Sequence, residues 1–135
     1  MGPCMADILI VDDDVDMAMT LGDLLALEGH SVRVAHNGLA GLDDISDRFP
    51  ELIVLDIEMP LLDGPGLALE LLVLDAGREL IPIIMLSGFL GITDVAARLG
   101  IPYILPKPSS PEAICSMVAR ALAERIPPRP PPKLP

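Results

Sequence analysis

Acidic, hydroxyl and amine side chains follow directly after four separate apolar runs in this sequence. Asp12 and Asp13 follow the first run, Asp56 the third, Ser87 the fourth and Lys107 the fifth. Clustered carboxylates repel one another unless a cation offsets them, and Mg²⁺ binds carboxylates while also accepting phosphate oxygens. With a lysine and a hydroxyl, this set supplies the metal clamp, counter-charge and nucleophile that phosphoryl transfer to a carboxylate needs.

Five apolar runs are predicted to be the strands that position these side chains. Four are almost continuously apolar, as in parallel strands covered on both faces, and the second alternates as an edge strand does. They span 8–11, 31–35, 52–55, 81–86 and 101–105.

Helical patterns fill the gaps between these runs, at 15–28, 38–47, 66–75, 93–99 and 111–125. The last is the clearest, with apolar residues recurring along one face, and either Ser109 or Ser110 can cap it. Strand alternating with helix predicts an α/β domain, a doubly wound five-stranded parallel sheet with helices on both faces. Such sheets bind ligands beyond the carboxyl ends of their strands, where the polar side chains above are expected.

The composition excludes several other functions. The chain has 135 residues, a formal net charge of −11 and only three aromatic residues. This length predicts one domain. A nucleic-acid surface would need clustered Lys and Arg, and base stacking would need aromatic rings, so we expect no direct nucleic-acid contact. Residues 1–64 carry a net charge of −12 and residues 65–135 a net +1, so the acids are concentrated in the half that contains Asp56.

The sequence also predicts where the protein resides. No apolar run reaches the ~18 residues of a membrane span, and no basic region precedes an apolar stretch at the N-terminus. Cys4 and Cys115 are too few for a disulfide scaffold and fit a reducing compartment. We therefore expect a cytoplasmic protein with no membrane contact.

Four segments resemble the motifs of receiver domains of bacterial two-component response regulators. They are Ile-Leu-Ile-Val-Asp-Asp-Asp at 8–14, Leu-Asp-Ile-Glu-Met-Pro-Leu-Leu-Asp-Gly at 55–64, Met-Leu-Ser-Gly at 85–88 and Pro-Lys-Pro at 106–108. The resemblance covers 6–126 and implies the flavodoxin-like strand order 2-1-3-4-5. It divides the chain into a receiver domain at 1–126 and a proline-rich tail at 127–135.

The resemblance implies a role for each matching acid. Asp56 is the phosphoacceptor in this interpretation. Asp13 binds Mg²⁺ directly and Asp12 binds it mainly through water, while the backbone carbonyl of Glu58 completes the protein ligands.

The resemblance likewise assigns Ser87 and Lys107 to the phosphoryl group and makes the Lys107–Pro108 bond cis. The donor it implies is a phosphohistidine on a sensor histidine kinase or a phosphotransfer protein, and the target is an unidentified downstream protein. The chain would then be a phosphorylation-dependent switch of a phosphorelay that phosphorylates and dephosphorylates itself but turns over no metabolite.

One position departs from the receiver pattern. Receivers usually carry Tyr or Phe three residues before the lysine, where the aromatic ring turns inward as the hydroxyl residue, here Ser87, moves to the phosphoryl group. Here that position is Ile104, and Tyr103 lies one residue earlier, which on a strand is the opposite face. Two alternatives stay open: switching without an aromatic rotation, or a bulge near Pro106 that restores the register of Tyr103.

Two more positions have roles in receivers. The positions of Glu58 and Phe89 tune the lifetime of the phosphoryl group, and Phe89 is expected to shield it from water.

The helix at 66–75 and the tail could each contact a partner. The helix is apolar almost throughout, which indicates either deeper burial or a contact with a partner or a second copy of the chain. The tail matches an SH3-ligand spacing, but a linker or solvated tail is the preferred interpretation.

The sequence leaves two other functions open. A Mg²⁺-dependent phosphohydrolase of the haloacid dehalogenase type would use Asp12 as nucleophile with Asp14 in the same motif, but Asp16 stands where that family has Thr or Val. That family also gives Asp56 no role. The second alternative is a degenerate receiver that only binds a partner, which Ile104 slightly favours.

Overall fold

The computed structural model describes residues 5–57, 66, 80–88 and 92–129 of the chain. Its strands are β1 (Asp7–Val11), β2 (Ser31–Ala35), β3 (Leu52–Asp56), β4 (Ile83–Ser87) and β5 (Tyr103–Pro106). Its helices are α1 (Val15–Leu27), α2 (Gly38–Asp47), α3 (Ile92–Leu99) and α4 (Pro111–Glu124). The helix predicted at 66–75 lies outside the described residues, except for Gly66.

The five strands form one sheet in the order β2-β1-β3-β4-β5, and every adjacent pair is parallel. The predicted doubly wound sheet and its flavodoxin-like order are therefore confirmed. Because all strands run the same way, the ends of β1, β3, β4 and β5 meet at one edge, where the polar residues follow them.

Two hydrophobic cores cover the two faces of the sheet. One core packs α1 and α4 against the sheet, and the other packs α2 and α3 against the opposite face. β3 and β4 are buried at every position, whereas β2 at the edge is mostly half-buried. The first core contains Ile10, Ala18, Leu25, Tyr103 and Val118, and the second contains Leu9, Ile45, Leu55, Met85 and Leu99.

Prolines shift the starts of two strands from their predicted positions. β4 and β5 were predicted to begin at 81 and 101, but they begin at Ile83 and Tyr103. Pro82 and Pro102 have no backbone N–H to donate to the ladder, so the paired strands begin after them, although the Pro82 carbonyl still accepts from the N–H of Ile53 in β3. The apolar residues before them stay buried although they lie outside the strands.

Side-chain oxygens cap three of the helices. Asp14 accepts from the backbone N–H of Met17 at the start of α1, and Asn37 caps α2 in the same way. Of the two serines that could cap α4, Ser110 does so by accepting from the N–H of Ala113 over 3.1 Å. These caps satisfy backbone donors that the first turn of a helix leaves unpaired.

The beginning of the proline-rich tail packs onto the domain. Pro127 and Pro128 are buried, and the backbone N–H of Arg129 donates to the carbonyl of Gly100 over 3.1 Å. The interpretation of a solvated tail is therefore wrong for its first residues. Among the helices described, none is long and apolar enough to cross a membrane.

Candidate functional site

Three carboxylates converge at the carboxyl edge of the sheet. Asp12 and Asp13 follow β1, and Asp56 is the last residue of β3, its neighbour in the sheet. One carboxylate oxygen of each lies within 4.8 Å of the others. Asp12 and Asp56 are buried, at 2% and 7% exposure, whereas Asp13 is exposed. Three oxygen donors in this space are a set that a hard cation such as Mg²⁺ accepts.

Lys107 brings a positive charge to the same place from the end of β5. Its Nζ lies 2.9 Å from Oδ2 of Asp12 and 3.6 Å from Oδ2 of Asp56. The Lys107–Pro108 peptide bond is cis, as the resemblance implied. Lys107 is thus the counter-charge to two buried acids.

Both oxygens of the Asp12 carboxylate accept hydrogen bonds from the protein. Oδ1 accepts from the backbone N–H of Asp14 over 3.0 Å, and Oδ2 accepts from Lys107. The Asp14 side chain turns away from the cluster and caps α1, accepting from the N–H of Met17 over 3.1 Å. The first acid of the run is therefore held in place, and the third is used for the helix.

Ser87 lies at the end of β4, between the strands that carry Asp56 and Lys107. It is 4% exposed, and its backbone carbonyl accepts from the N–H of Lys107 over 3.0 Å. This bond joins the ends of β4 and β5. The residues predicted from separate segments, namely Asp12, Asp13, Asp56, Ser87 and Lys107, thus end at one edge of one sheet.

The fifth strand contains no bulge. Its pairing with β4 runs without interruption from Ile84 opposite Tyr103 to Ser87 opposite Pro106. Tyr103 therefore faces the core beneath α1 and α4, and Ile104 packs against the core on the opposite face. The alternative in which a bulge turns Tyr103 toward the site is wrong, because β5 keeps its alternation through Pro106.

Two of the predicted site positions lie outside the described residues, and one residue near Asp12 was not predicted. Glu58 and Phe89 lie outside the described residues. His36 is exposed, and its ring Nδ1 lies 3.3 Å from the backbone oxygen of Asp12, a contact that the sequence did not predict. Its position just after β2, which adjoins β1, was the available signal.

Comparison with known proteins agrees with this geometry. A family model described as "Response regulator receiver domain" matches residues 8–119. Response regulator MprA of Mycobacterium avium is 37% identical over 123 residues, which cover 90% of this chain and 52% of that protein. MprA of Mycobacterium tuberculosis matches to the same extent. The chain thus spans about half the length of these curated relatives.

Solved structures of receiver domains have the same fold as this chain. The receiver domain of NtrX from Brucella abortus is 34% identical, with a TM-score of 0.77 over 87% of this chain and 98% of that one. A CheY-like receiver domain protein from Methanospirillum hungatei is 27% identical, with a TM-score of 0.81 over 90% and 97%. On the match of the family model to most of its length, together with these relatives, this chain belongs to the response regulator receiver domain family.

Proposed function

We propose that this chain is a signalling switch that accepts a phosphoryl group on Asp56 with the help of Mg²⁺. The observation that carries the proposal is the position of Asp56. It is a buried carboxylate at the end of a central strand, 3.6 Å from Lys107 and grouped with two further acids. A lone structural acid needs only one counter-charge, so the additional acids argue for a bound cation.

The donor we propose is a phosphohistidine, presented by a sensor histidine kinase or a phosphotransfer protein. An oxygen of Asp56 attacks the phosphorus, a new O–P bond forms and the N–P bond to the histidine breaks. The electron pair of the broken bond remains on the imidazole nitrogen, which takes up a proton. The protein contributes position and charge rather than further covalent chemistry.

The acidic cluster fits Mg²⁺ as the assisting ion. Asp13 and Asp56 are suited to bind it directly, and Asp12, whose two oxygens already accept from Lys107 and Asp14, is suited to bind it through water. We propose Glu58 as a further ligand through its backbone carbonyl. When bound, the ion would supply positive charge for the phosphoryl oxygens.

Ser87 and Lys107 are proposed to hold the phosphoryl group once it is on Asp56. The ammonium of Lys107 carries the charge that offsets phosphoryl oxygens, and the Ser87 hydroxyl donates a hydrogen bond. Both side chains come from strand ends next to β3 or one strand beyond, which keeps them within reach of the same carboxylate. The comparisons do not favour the phosphohydrolase or the interaction-only alternative.

The signal is proposed to pass to a downstream protein in the cytoplasm, where the ATP used by sensor kinases is available.

Two further expectations stay predictions. One is a homodimer through the apolar helix predicted at 66–75, since that helix lies outside the described residues. The division into a receiver domain at 1–126 and a tail at 127–135 also stays a prediction.

Beryllofluoride with Mg²⁺ tests the function, because this anion mimics a phosphoryl group on a carboxylate. We expect it to raise the thermal unfolding temperature of the wild-type chain and acetyl phosphate to add one phosphoryl mass. Asp56→Asn should abolish both effects, since the nucleophile is gone. Asp12→Ala should weaken both through loss of the metal and of the partner of Lys107.

Asp16→Asn is the matched control. Asp16 is exposed in the first turn of α1, four residues from Asp12, and its change removes the same charge without touching the cluster. This variant should behave as wild type. An adduct that forms on Asp56→Asn as readily as on wild type would refute the proposal, and turnover of a phosphate ester that needs Asp12 but not Asp56 would favour the phosphohydrolase.

A further inference from the structure

Residues 125–129 form a strap between the end of α4 and the loop before β5. Arg125 leaves the helix in the left-handed conformation, with φ 56°, and its guanidinium lies 3.6 Å from the carboxylate of Glu51, just before β3. At the other end Arg129 donates its backbone N–H to the carbonyl of Gly100. The two prolines before Arg129 are buried. The strap is therefore held by contacts at both ends, with its two prolines buried and Ile126 exposed.

The two ends of the strap lie near different strands. The Arg125 guanidinium is beside Glu51, just before β3, and the Arg129 backbone is bonded to Gly100 in the loop before β5. A movement of β5 relative to the rest of the sheet therefore reaches one anchor of the strap and not the other.

Tyr103 anchors the middle of this arrangement. Its hydroxyl donates to Oε1 of Glu124 over 2.9 Å, and the backbone N–H of Ile126 donates to the same hydroxyl. The guanidinium of Arg120 lies over the ring, 5.4 Å from its centre. The tyrosine that stands beside the usual switch position thus holds the last turn of α4 and the first part of the strap.

Gly100 is the docking point at the far end. Its φ is 66°, and a Cβ at this position would overlap the backbone of Arg129. Any side chain here would strain the loop and displace the strap. The close approach therefore depends on glycine.

β5 connects the strap to the candidate phosphoacceptor site. Tyr103 is its first residue, and Lys107 follows its last. Lys107 lies closer to Asp12 than to Asp56, at 2.9 Å against 3.6 Å. Added negative charge on Asp56 would draw the ammonium toward it and away from Asp12. The backbone N–H of Lys107 is bonded to the Ser87 carbonyl, and β5 runs from there back to Tyr103, so the strand is the direct connection between the site and Tyr103.

We propose that the strap reads out the state of the site: a phosphoryl group on Asp56 shifts β5 through Lys107 and loosens the strap from Tyr103 and Gly100. This rests on the proposed function. The contacts of the strap are formed with β5 in its present position, so a shift of the strand weakens them. Loosening exposes Pro127 and Pro128, which are buried in the unmodified protein, to a partner.

Amide hydrogen exchange followed by NMR tests the proposal on the full chain. The Arg129 amide should be protected in the unmodified protein, because it donates to Gly100. Beryllofluoride with Mg²⁺ should make it exchange roughly five- to tenfold faster, the factor that corresponds to losing about one hydrogen bond. An Arg129 amide that is unprotected from the start would overturn the proposal.

Variants separate the strap from general strain. Gly100→Ala should expose the Arg129 amide without beryllofluoride, and Tyr103→Phe, which keeps the ring, should expose it in part. Gly29→Ala is the matched control, because Gly29 also has positive φ, 97°, but lies between α1 and β2. Equal protection of Arg129 in wild type, Gly100→Ala and Tyr103→Phe would overturn the role of these anchors.

The amides of Ser87 and Lys107 report on the site itself and therefore distinguish failure of the read-out from failure of the proposed function. If they shift with beryllofluoride while Arg129 does not respond, the read-out through the strap is wrong and the proposed function stands. If they do not shift, the proposed function fails and the read-out fails with it. A response of all three in wild type and of none in Asp56→Asn supports both.

Discussion

At the residue scale, the charge balance of the site depends on Lys107. Burial alone would lower the pKa of Lys107, but its hydrogen bond to Asp12 and the charges of Asp12 and Asp56 outweigh this and raise the pKa. The lysine is therefore protonated at neutral pH. The stability gained from the raised pKa is fully present below the ordinary value and is lost as the pH rises through the value in the folded protein.

Replacing Lys107 by Met should destabilise the fold. The change leaves two buried carboxylates without their shared counter-charge, which we expect to cost about 2 kcal/mol, less than for a fully buried pair because 21% of the Lys107 side chain is exposed. Urea unfolding at neutral pH, without divalent metal, measures this. Lys107→Arg keeps the charge and should recover at least half of the loss. A Met variant as stable as wild type would show that the two ion pairs contribute nothing.

Tyr103 should ionise at unusually high pH. Burial first, and then the hydrogen bond to Glu124, raise the pKa of Tyr103, although the N–H of Ile126 and Arg120 lower it in part. The neutral ring stabilises the fold below the ordinary value of about 10, and this contribution is lost as the pH rises through the raised pKa.

Tyr103 is the only tyrosine and the chain has no tryptophan, so ultraviolet difference absorption reports it alone. We expect tyrosinate to appear at higher pH in the folded chain than in urea. Tyr103→Phe should give no such signal. Glu124→Gln, which keeps a hydrogen-bond acceptor but removes the charge, should move the titration back toward the ordinary value. Identical titrations in the folded and unfolded chain would contradict the burial and contacts described for this ring.

The candidate site was predictable because each of its side chains follows a strand. Parallel strands bring their carboxyl ends together, so position relative to a strand end is enough to place Asp56, Ser87 and Lys107 at one edge. The environment of Tyr103 was not predictable in this way. Whether it faced the site depended on the pairing of β5, and its contacts with Glu124 and Ile126 connect parts of the chain that no periodicity relates.

At the scale of elements, the apolar pattern indicates which segments form strands, whereas backbone pairing decides where each strand begins. The apolar pattern predicted all five strands, although β2 and β5 at the two edges of the sheet are only partly buried. It misplaced the starts of β4 and β5 because Ile81 and Ile101 are buried without belonging to the ladder. The strand starts are set by the prolines that follow these isoleucines, because a proline has no backbone N–H to pair. Hydrophobicity alone does not show this.

Helix α4 should depend on its cap at Ser110. The hydroxyl accepts from the backbone N–H of Ala113, and removing it in Ser110→Ala should cost about 1 kcal/mol in the free energy of unfolding. Ser110→Asp is the matched control, because it also accepts from that N–H and adds a favourable charge at the helix start. Denaturant titration compares the two. Equal loss in both variants would mean that the cap contributes no stability.

At the scale of the whole molecule, the charge is strongly one-sided. The chain has twenty Asp and Glu residues against nine Lys and Arg residues, and repulsion among the acids opposes the compact folded state. The Debye length falls from about 30 Å at 0.01 M salt to about 8 Å at 0.15 M, so added NaCl should raise the stability of the metal-free chain. This general screening has to be separated from binding at the acidic cluster.

Mg²⁺ should stabilise the fold more than NaCl does at the same ionic strength. A ligand that binds only the folded chain adds about 2.7 kcal/mol at a hundredfold its Kd. Asp13→Asn should keep the response to NaCl and lose the additional response to Mg²⁺, because it removes an exposed member of the carboxylate cluster. Asp47→Asn removes the same charge at the far end of α2, in an exposed position, and should keep both responses. Thermal unfolding of the three proteins in the two salts measures this. An equal response of wild type to both salts would mean that the acidic half of the chain acts only as diffuse charge.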